Sequence, residues 1–278
     1  MVLHRCLGFA LLAVLPVAHA SDERLGKLPA GAQSTNLVQD VGAEICRDHV
    51  FDPAKAKVAL PKGFRLISLD EYAKGDPDAT KLLARNPTHA NHAVGSLCFM
   101  SVGSFVIDDK RVAAPSPMPM AFWWARAEGP RDARMQGKVE WVQLASWYPN
   151  SASDRARIMA TDPMAQFVEI HVAATAANTW RMRLVLSNET IEAEAKGRGD
   201  RKPRKSSGPG FMSVPFSGAS AGSFWVITYF GHHHQSATGQ WRASGNGVFA
   251  DAFSIAGESE AFGTLFQDGW TALSGVYK

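Results

Sequence analysis

The residues in this sequence with the clearest capacity for chemistry are histidines and a nearby carboxylate. Glu169 and His171 are two apart in a run with strand periodicity, so both side chains point to the same side of a strand. His232 and His234 share a side in the same way if the strand that begins near Phe224 continues through them. Imidazole and carboxylate groups are common ligands of zinc. These residues predict a site for a divalent metal such as zinc, and with it a metal-assisted hydrolase or lyase.

A second histidine pair, His89 and His92, is three residues apart and can take the place of Glu169 in that ligand set. The alternative is that these histidines are ordinary side chains, because no tight metal signature such as HExxH occurs. The residues around Ser220 match GxSxG, but the strand-like residues after them favour a hairpin turn over a catalytic nucleophile. The sequence leaves open whether the protein is an enzyme.

Tryptophan carries the leading prediction of function. All eight tryptophans lie between Trp123 and Trp270. A sheet this rich in tryptophan either fills a large core or lines a concave apolar pocket. We predict that Trp123, Trp124, Trp225 and Arg183 line a pocket that binds a small amphipathic or aromatic molecule. Because Trp123 and Trp124 are adjacent on a predicted strand, they face opposite sides of the sheet.

The first 20 residues have the pattern of an export signal. A short polar start precedes an apolar run, and Ala18-His19-Ala20 carries small residues where a signal peptidase cleaves. The run is too short to span a bilayer, which takes roughly 20 residues. We predict a signal peptide over 1–20, a flexible leader over 21–33, and a soluble periplasmic or secreted protein without a transmembrane span.

Two cysteines, Cys46 and Cys98, follow the predicted signal. Two thiols in an oxidising compartment usually pair, so we predict a disulfide between them. The alternative is a reactive or metal-binding thiol pair.

Composition limits the partners. A formal net charge of +3 gives no global attraction for nucleic acid, and 46% hydrophobic with 20% charged residues is typical of a globular protein. The predicted partner is a small molecule. A basic run over 196–205, inside a glycine-rich and serine-rich loop predicted from Gly197 to Gly210, can make weak contact with an anionic surface.

Short strand-like runs separated by glycine turns predict an α+β fold, with a mainly antiparallel or barrel-like sheet and a few short helices. We expect one globular domain over 34–278. Helices are predicted at 36–49, after the capping box Ser68–Glu71, and from Pro77 to Arg85. Further helices are predicted near 153–160, 163–168 and 258–267.

Three hairpins are predicted. The clearest turns at Asn188-Glu189, which puts Leu184 opposite Ala193 and Arg183 opposite Glu194 and gives one apolar and one charged face. A second hairpin joins 211–216 to 224–230, and a third joins 240–242 to 248–253.

The segment Arg157–Met164 resembles the acetoacetate-decarboxylase-like superfamily, together with the alternation of short strands. Arg157 and Pro163 have the spacing that this family uses before its reactive lysine. Met164 stands in the place of that lysine, and no lysine occurs between Lys138 and Lys196. The resemblance implies the family's fold without the amine that a Schiff-base mechanism needs.

Overall fold

The computed structural model describes residues 32–58, 60, 63–107, 110–129, 139–162, 164–203, 210–213, 225–230, 233–268 and 270–277. The predicted signal peptide and most of the predicted leader lie outside these residues, as do His232 and Ser220.

Strands dominate the described chain, and helices are short. The strands are β1 (Ala32–Phe51), β2 (Arg65–Leu66), β3 (Ala93–Ile107), β4 (Lys110–Arg111), β5 (Met118–Glu128), β6 (Val139–Pro149), β7 (Ala165–Ala176), β8 (Thr179–Val185), β9 (Glu189–Pro203), β10 (Gly210–Ser213), β11 (Trp225–Phe230), β12 (His233–Gly245), β13 (Thr264–Asp268) and β14 (Trp270–Tyr277). The helices are α1 (Pro53–Ala56), α2 (Leu69–Ala73), α3 (Pro77–Arg85), α4 (Arg155–Thr161), α5 (Val248–Ser254) and α6 (Glu258–Ala261), with a 3-10 turn at Pro87–His89.

The sheet closes on itself in two circuits that share β1, β3, β5 and β6. The first circuit runs β1-β13-β12-β9-β8-β7-β6-β5-β3 and closes through the β1–β3 pairing. The second runs β1-β14-β11-β10-β6-β5-β3. Among the described pairings, β6–β7 and β6–β10 are parallel and the others are antiparallel. The prediction of a mainly antiparallel, barrel-like sheet with few helices is confirmed.

The prediction of a helix over 36–49 is wrong, because this segment belongs to β1. Ala43 and Ile45 are fully buried on one face, whereas Val41, Cys46 and Val50 are buried on the other, with a register shift between Val41 and Ala43. A strand shared by two circuits buries both faces, so its apolar residues do not alternate cleanly and can imitate helical spacing.

Local signals predicted several other elements. The capping box is present, with Ser68 Oγ accepting from the Glu71 backbone and the Glu71 carboxylate accepting from the Ser68 backbone. Helix α3 begins at Pro77 and ends at Arg85 as predicted, and α4 covers most of 153–160. The second predicted hairpin is the β10–β11 pair.

The β8–β9 hairpin has the predicted faces in a different register. Leu184 pairs with Ile191 and Arg183 with Glu192, two residues from the predicted partners. The turn closes through a hydrogen bond from Leu186 N to Glu189 O at 2.8 Å. A shift of two residues leaves each side chain on its face, which is why the apolar and charged faces survive.

Three other expectations are wrong, and a fourth is right only in part. Residues 248–253 form α5 rather than a strand, and 165–168 begin β7 rather than a helix. Residues 197–203 continue β9 rather than forming a loop, because they pair with β12. The predicted helix at 258–267 is limited to α6, and β13 follows it.

Among the described residues, no helix combines the length and apolar character needed to cross a membrane.

The main core fills the first circuit and draws on all nine of its strands. A second cluster lies on the opposite face of β1, β3 and β5, around Met100, Val102 and Tyr148. A third lies under α2 and α3, around Val50, Leu82 and Phe262.

Candidate functional site

Residues 246–262, between β12 and β13, form α5 and α6 and pack against the inside of the first circuit. Phe249 is buried, with its ring 5.0 Å from that of Trp123 and 6.2 Å from that of Trp147. Phe253 lies 6.1 Å from Trp241. These aromatic contacts fix α5 against the core.

The Glu189 carboxylate of β9 caps the N-terminus of α5. Gly247 at the N-cap has no side chain to cap the helix, and Glu189 supplies the acceptor to the backbone N–H groups of Phe249 at 2.9 Å and Ala250 at 3.0 Å. A Cβ on Gly247 would lie only 2.0 Å from the Glu189 carboxyl carbon. Glycine at 247 is therefore required for this remote cap.

Beneath α5, His49 is a fully buried, neutral side chain. Trp123 Nε1 donates to His49 Nε2 at 3.1 Å, so the ring proton lies on Nδ1, which faces the Arg47 carbonyl at 3.5 Å. Burial lowers the pKa of His49 to about 3. His49 is a hydrogen-bond acceptor at neutral pH and carries no charge.

Arg47 and Glu258 form an ion pair inside the same circuit, with 4% and 0% of their side chains exposed. The Arg47 guanidinium lies 4.6 Å from the centre of the Phe253 ring. Burial lowers the pKa of Arg47 to about 10, so the guanidinium remains charged at neutral pH. The pair ties β1 to α6.

Beside α5 lies a cleft of about 410 Å³, which we call the helix cleft. Its apolar wall includes Phe51, Val248 and Ile255. The remaining lining residues are mostly polar, and they are Asp52, Lys55, Asn86, His89, His92, Asp251, Ala252, Ser254 and Ala256.

Three elements hold the polar wall of the helix cleft in place. Asp52 caps α1 by accepting from Ala54 N at 2.8 Å, and Lys55 forms an ion pair with Asp251 that joins α1 to α5. Asn86 Nδ2 donates to the Ala256 carbonyl at 2.9 Å, which joins the end of α3 to the segment between α5 and α6.

His89 and His92 come together in the helix cleft. Their ring centres are 4.4 Å apart. The pKa of His92 is lowered by its partial burial and then by the neighbouring His89. Their spacing in the sequence indicated this pairing.

Three of the four residues predicted to bind a ligand, Trp123, Trp124 and Arg183, do not meet in the described structure. Trp123 is buried in the main core, while Trp124 faces the other way and packs against Cys46 and Cys98. Arg183 is 42% exposed on the outer face of β8, and the Trp225 side chain lies outside the described residues. Trp123 therefore helps to fill the core, which is one of the two alternatives that the sequence offered.

The predicted metal ligands within the described residues do not form one cluster, and His232 lies outside those residues. Glu169 and His171 lie 3.5 Å apart, but His171 is 65% exposed and the same carboxylate pairs with Arg183. His234 is on β12, which β8 and β9 separate from β7. Among the described residues these side chains form no metal-type group; the cluster of that kind is Glu44, Cys46 and Cys98.

The two sulfurs of that cluster are bonded to each other. Cys46 and Cys98 face each other on β1 and β3, with Cα atoms 4.0 Å apart, and form the predicted disulfide. It joins positions 52 residues apart in the sequence.

Of the residues of the family resemblance, Arg157 and Met164 have local contacts, and Pro163 lies outside the described residues. Arg157 pairs with Asp154 and donates to the Ile107 carbonyl. Met164 N donates to Asp162 Oδ1 at 3.1 Å. Asp162 is buried and accepts from Tyr148, and burial raises the pKa of its carboxyl.

Sequence reasoning missed Arg47 and Glu258, which come from opposite ends of the chain and carry no spacing signal. It also missed Asp52 and Lys55. Only Asp52 had a local signature, since Asp before Pro53 is typical of a helix start.

No protein-family model matches the sequence, and no curated protein does. Among solved structures, the chain resembles acetoacetate decarboxylase from Legionella pneumophila with a TM-score of 0.50, at 8% identity over 91% of this chain and 89% of that one. It also resembles the enduracididine biosynthesis enzyme MppR complexed with pyruvate, with a TM-score of 0.47, at 13% identity over 88% and 89% of the two chains. The likeness to the Legionella protein shows that this chain has an acetoacetate-decarboxylase-like fold.

Proposed function

We propose that this chain is an exported protein that binds a small amphipathic or aromatic molecule in the helix cleft. The observation that carries the proposal is the cleft itself, whose volume of about 410 Å³ lies within the range of roughly 300–1,000 Å³ typical of small-molecule sites.

The lining suits an amphipathic ligand. Phe51, Val248 and Ile255 offer apolar surface on one side, and Lys55 and Asp251 offer charges of both signs on the other. A molecule with an apolar body and a polar or zwitterionic end satisfies both walls, whereas a purely apolar one would displace water from the polar wall without replacing its hydrogen bonds.

The predicted tryptophan site changes position in this proposal. Trp123 does not line the cleft, but its ring is 4.9 Å from that of Phe51, which does. A bound ligand would thus lie one side chain away from Trp123. Trp124, Trp225 and Arg183 have no assigned contact with this ligand.

Thermal shift and tryptophan fluorescence test the binding, with a panel of aromatic carboxylates, aromatic amines and medium-chain fatty acids in buffer that contains EDTA. A true ligand at 100 times its Kd stabilises the fold by about 2.7 kcal/mol. Ala256→Phe, at an exposed position in the cleft lining, should abolish this effect. Ala174→Phe, at an exposed position on β7, is the matched control and should preserve it.

Two results would refute the binding proposal. One is the absence of any stabilisation across the panel. The other is equal stabilisation of the wild type and of Ala256→Phe, which would place the ligand elsewhere.

Export rests on the sequence of residues 1–20, and the Cys46–Cys98 disulfide agrees with an oxidising compartment. Cell fractionation with mass spectrometry of the mature terminus tests it. The expected protein begins at Ser21 and has no thiol that alkylates before reduction. An intact Met1 terminus in the cytosol, with both thiols alkylated, would contradict it.

A further inference from the structure

We propose that His89 and His92 bind a divalent transition-metal ion such as Zn²⁺ in the helix cleft, with open coordination positions that accept a donor atom of the small ligand. The proposal of a metal site depends only on the two histidines and not on the proposed function. The second part, the ligand's donor atom, rests on the proposed function.

The backbone places the two imidazoles side by side before any ion binds. His92 N donates to the His89 carbonyl at 2.8 Å, and Ala90 N donates to the Pro87 carbonyl at 3.3 Å, so the turn is fixed by two hydrogen bonds. Both rings are half-buried, with centres 4.4 Å apart and planes at 67°. One turn therefore brings two imidazoles, a ligand type that zinc takes, within 4.4 Å of each other between ring centres.

A neighbouring hydroxyl orients one of the rings. Thr88 Oγ1 lies 3.3 Å from His89 Nδ1, within hydrogen-bond distance. When Nδ1 donates this bond, Nε2 presents its lone pair. Metal-binding histidines commonly use their second ring nitrogen in this way.

The charge around the pair suits a cation. The carboxylates of Asp52 and Asp251 line the same cleft, and Lys55 neutralises only Asp251 through their ion pair. The cleft therefore keeps a negative charge near the histidines.

Coordination at this site is incomplete with protein atoms alone. Among the described residues, no third metal-type ligand atom lies close to both histidines, since the only such triad is Glu44, Cys46 and Cys98. Zinc usually takes four ligands, and sites that act on small molecules leave positions to water or substrate. Two protein ligands would leave two positions open, facing the space where we place the ligand.

The experiment uses the full mature chain with His232, His233 and His234 replaced by alanine, because that run can bind metal by itself. Apo protein is titrated with Zn²⁺ alone by calorimetry, and Cu²⁺ is added for electron paramagnetic resonance. The expected results are one Zn²⁺ per chain and a Cu²⁺ spectrum with hyperfine splitting from two nitrogens.

His89→Ala and His92→Ala test the assignment in that background. Each should weaken Zn²⁺ binding more than about 10-fold, the lower limit for losing even an outer-shell contact. His171→Ala is the matched control, since His171 is exposed beside Glu169 and does not line the helix cleft, and it should leave binding unchanged. Circular dichroism of each variant confirms that the chain is folded.

The outcomes separate this inference from the proposed function. No Zn²⁺ binding in the background variant, or equal binding after His89→Ala and His92→Ala, would overturn the metal site. Ligand binding in EDTA would then still support the helix cleft as a binding site. Zn²⁺ binding that depends on both histidines supports the metal site even if no panel compound binds.

Discussion

The inside of the first circuit and the outer face of β7, β8, β9 and β12 are both built with arginine–glutamate pairs, yet they use them in opposite ways. Inside, Arg47 and Glu258 have 4% and 0% of their side chains exposed. On the outer face, Arg183 pairs with Glu169, and Arg242 donates to Glu192 at 2.9 Å, with exposures between 40% and 80%.

The two sets of ion pairs differ in how well water solvates their charges. Outside, water solvates each charge whether or not its partner is present, so the pair adds little to stability. Inside, each charge depends on its partner and on a few fixed dipoles, so loss of one partner leaves the other without compensation. We therefore expect interior changes to dominate stability and outer-face changes to be almost silent.

Glu258→Gln should have the largest effect. It leaves the Arg47 guanidinium buried beside Phe253 without its counter-charge. The free energy of unfolding should fall by about 3–5 kcal/mol, as measured by urea denaturation. The double variant Arg47→Met with Glu258→Leu removes both charges and should recover much of that loss. A double variant less stable than Glu258→Gln would contradict this account.

The second prediction concerns pH and His49. Its folded pKa of about 3 lies below the ordinary value of 6.5, so between these values the unfolded chain binds a proton that the folded chain does not. Stability should therefore fall as pH decreases through this window, by up to about 1.4 kcal/mol per pH unit.

Other buried groups oppose this trend, so a difference measurement is needed. Burial raises the pKa of Asp162, for example, which favours folding as pH falls. We expect the difference in unfolding free energy between the wild type and His49→Gln to change by about 3 kcal/mol from pH 7 to pH 4. An equal difference at pH 7 and pH 4 would argue against a neutral, buried His49.

Trp123→Phe tests the hydrogen bond inside the circuit. The change keeps an aromatic ring but removes the donor to His49 Nε2 at 3.1 Å. A buried acceptor without a partner destabilises by about 1–3 kcal/mol. Urea denaturation should show that Trp123→Phe lowers the free energy of unfolding by this amount in the wild type. The same substitution should have a much smaller effect in a protein that already carries His49→Phe. Equal losses in both backgrounds would mean that packing, not the hydrogen bond, is responsible.

The same contrast explains what the sequence could predict. The β8–β9 hairpin was predicted with its faces because its partners are close in sequence and one face is exposed. Segment 36–49 was not predicted as a strand, because a strand buried on both faces by two circuits loses the alternation of apolar and polar residues that identifies strands. Long-range closure by the β1–β3 pairing leaves no local signal.

The residues of the candidate site also differ in whether the sequence could predict them. His89 and His92 were noticed because three residues separate them on one turn. Arg47 and Glu258 were missed, since their meeting depends on α6 returning to β1 from the far end of the chain. Two of the predicted ligand residues, Trp123 and Trp124, do not share a pocket because adjacent residues of a strand face opposite sides of the sheet.

The smallest effect is expected on the outer face. Glu192→Gln removes the partner of Arg242 and weakens the contact with Arg183, whose Nε lies 3.8 Å from the carboxylate. Because these groups keep their water, the free energy of unfolding should fall by less than about 1 kcal/mol. At 1 M salt, where the screening length shortens to about 3 Å, the loss should approach zero. Glu258→Gln should keep most of its effect at the same salt concentration, because ions cannot enter the circuit. A loss at Glu192 as large and as salt-resistant as the one at Glu258 would show that the outer pairs also act as buried charges, and the distinction between the two regions would fail.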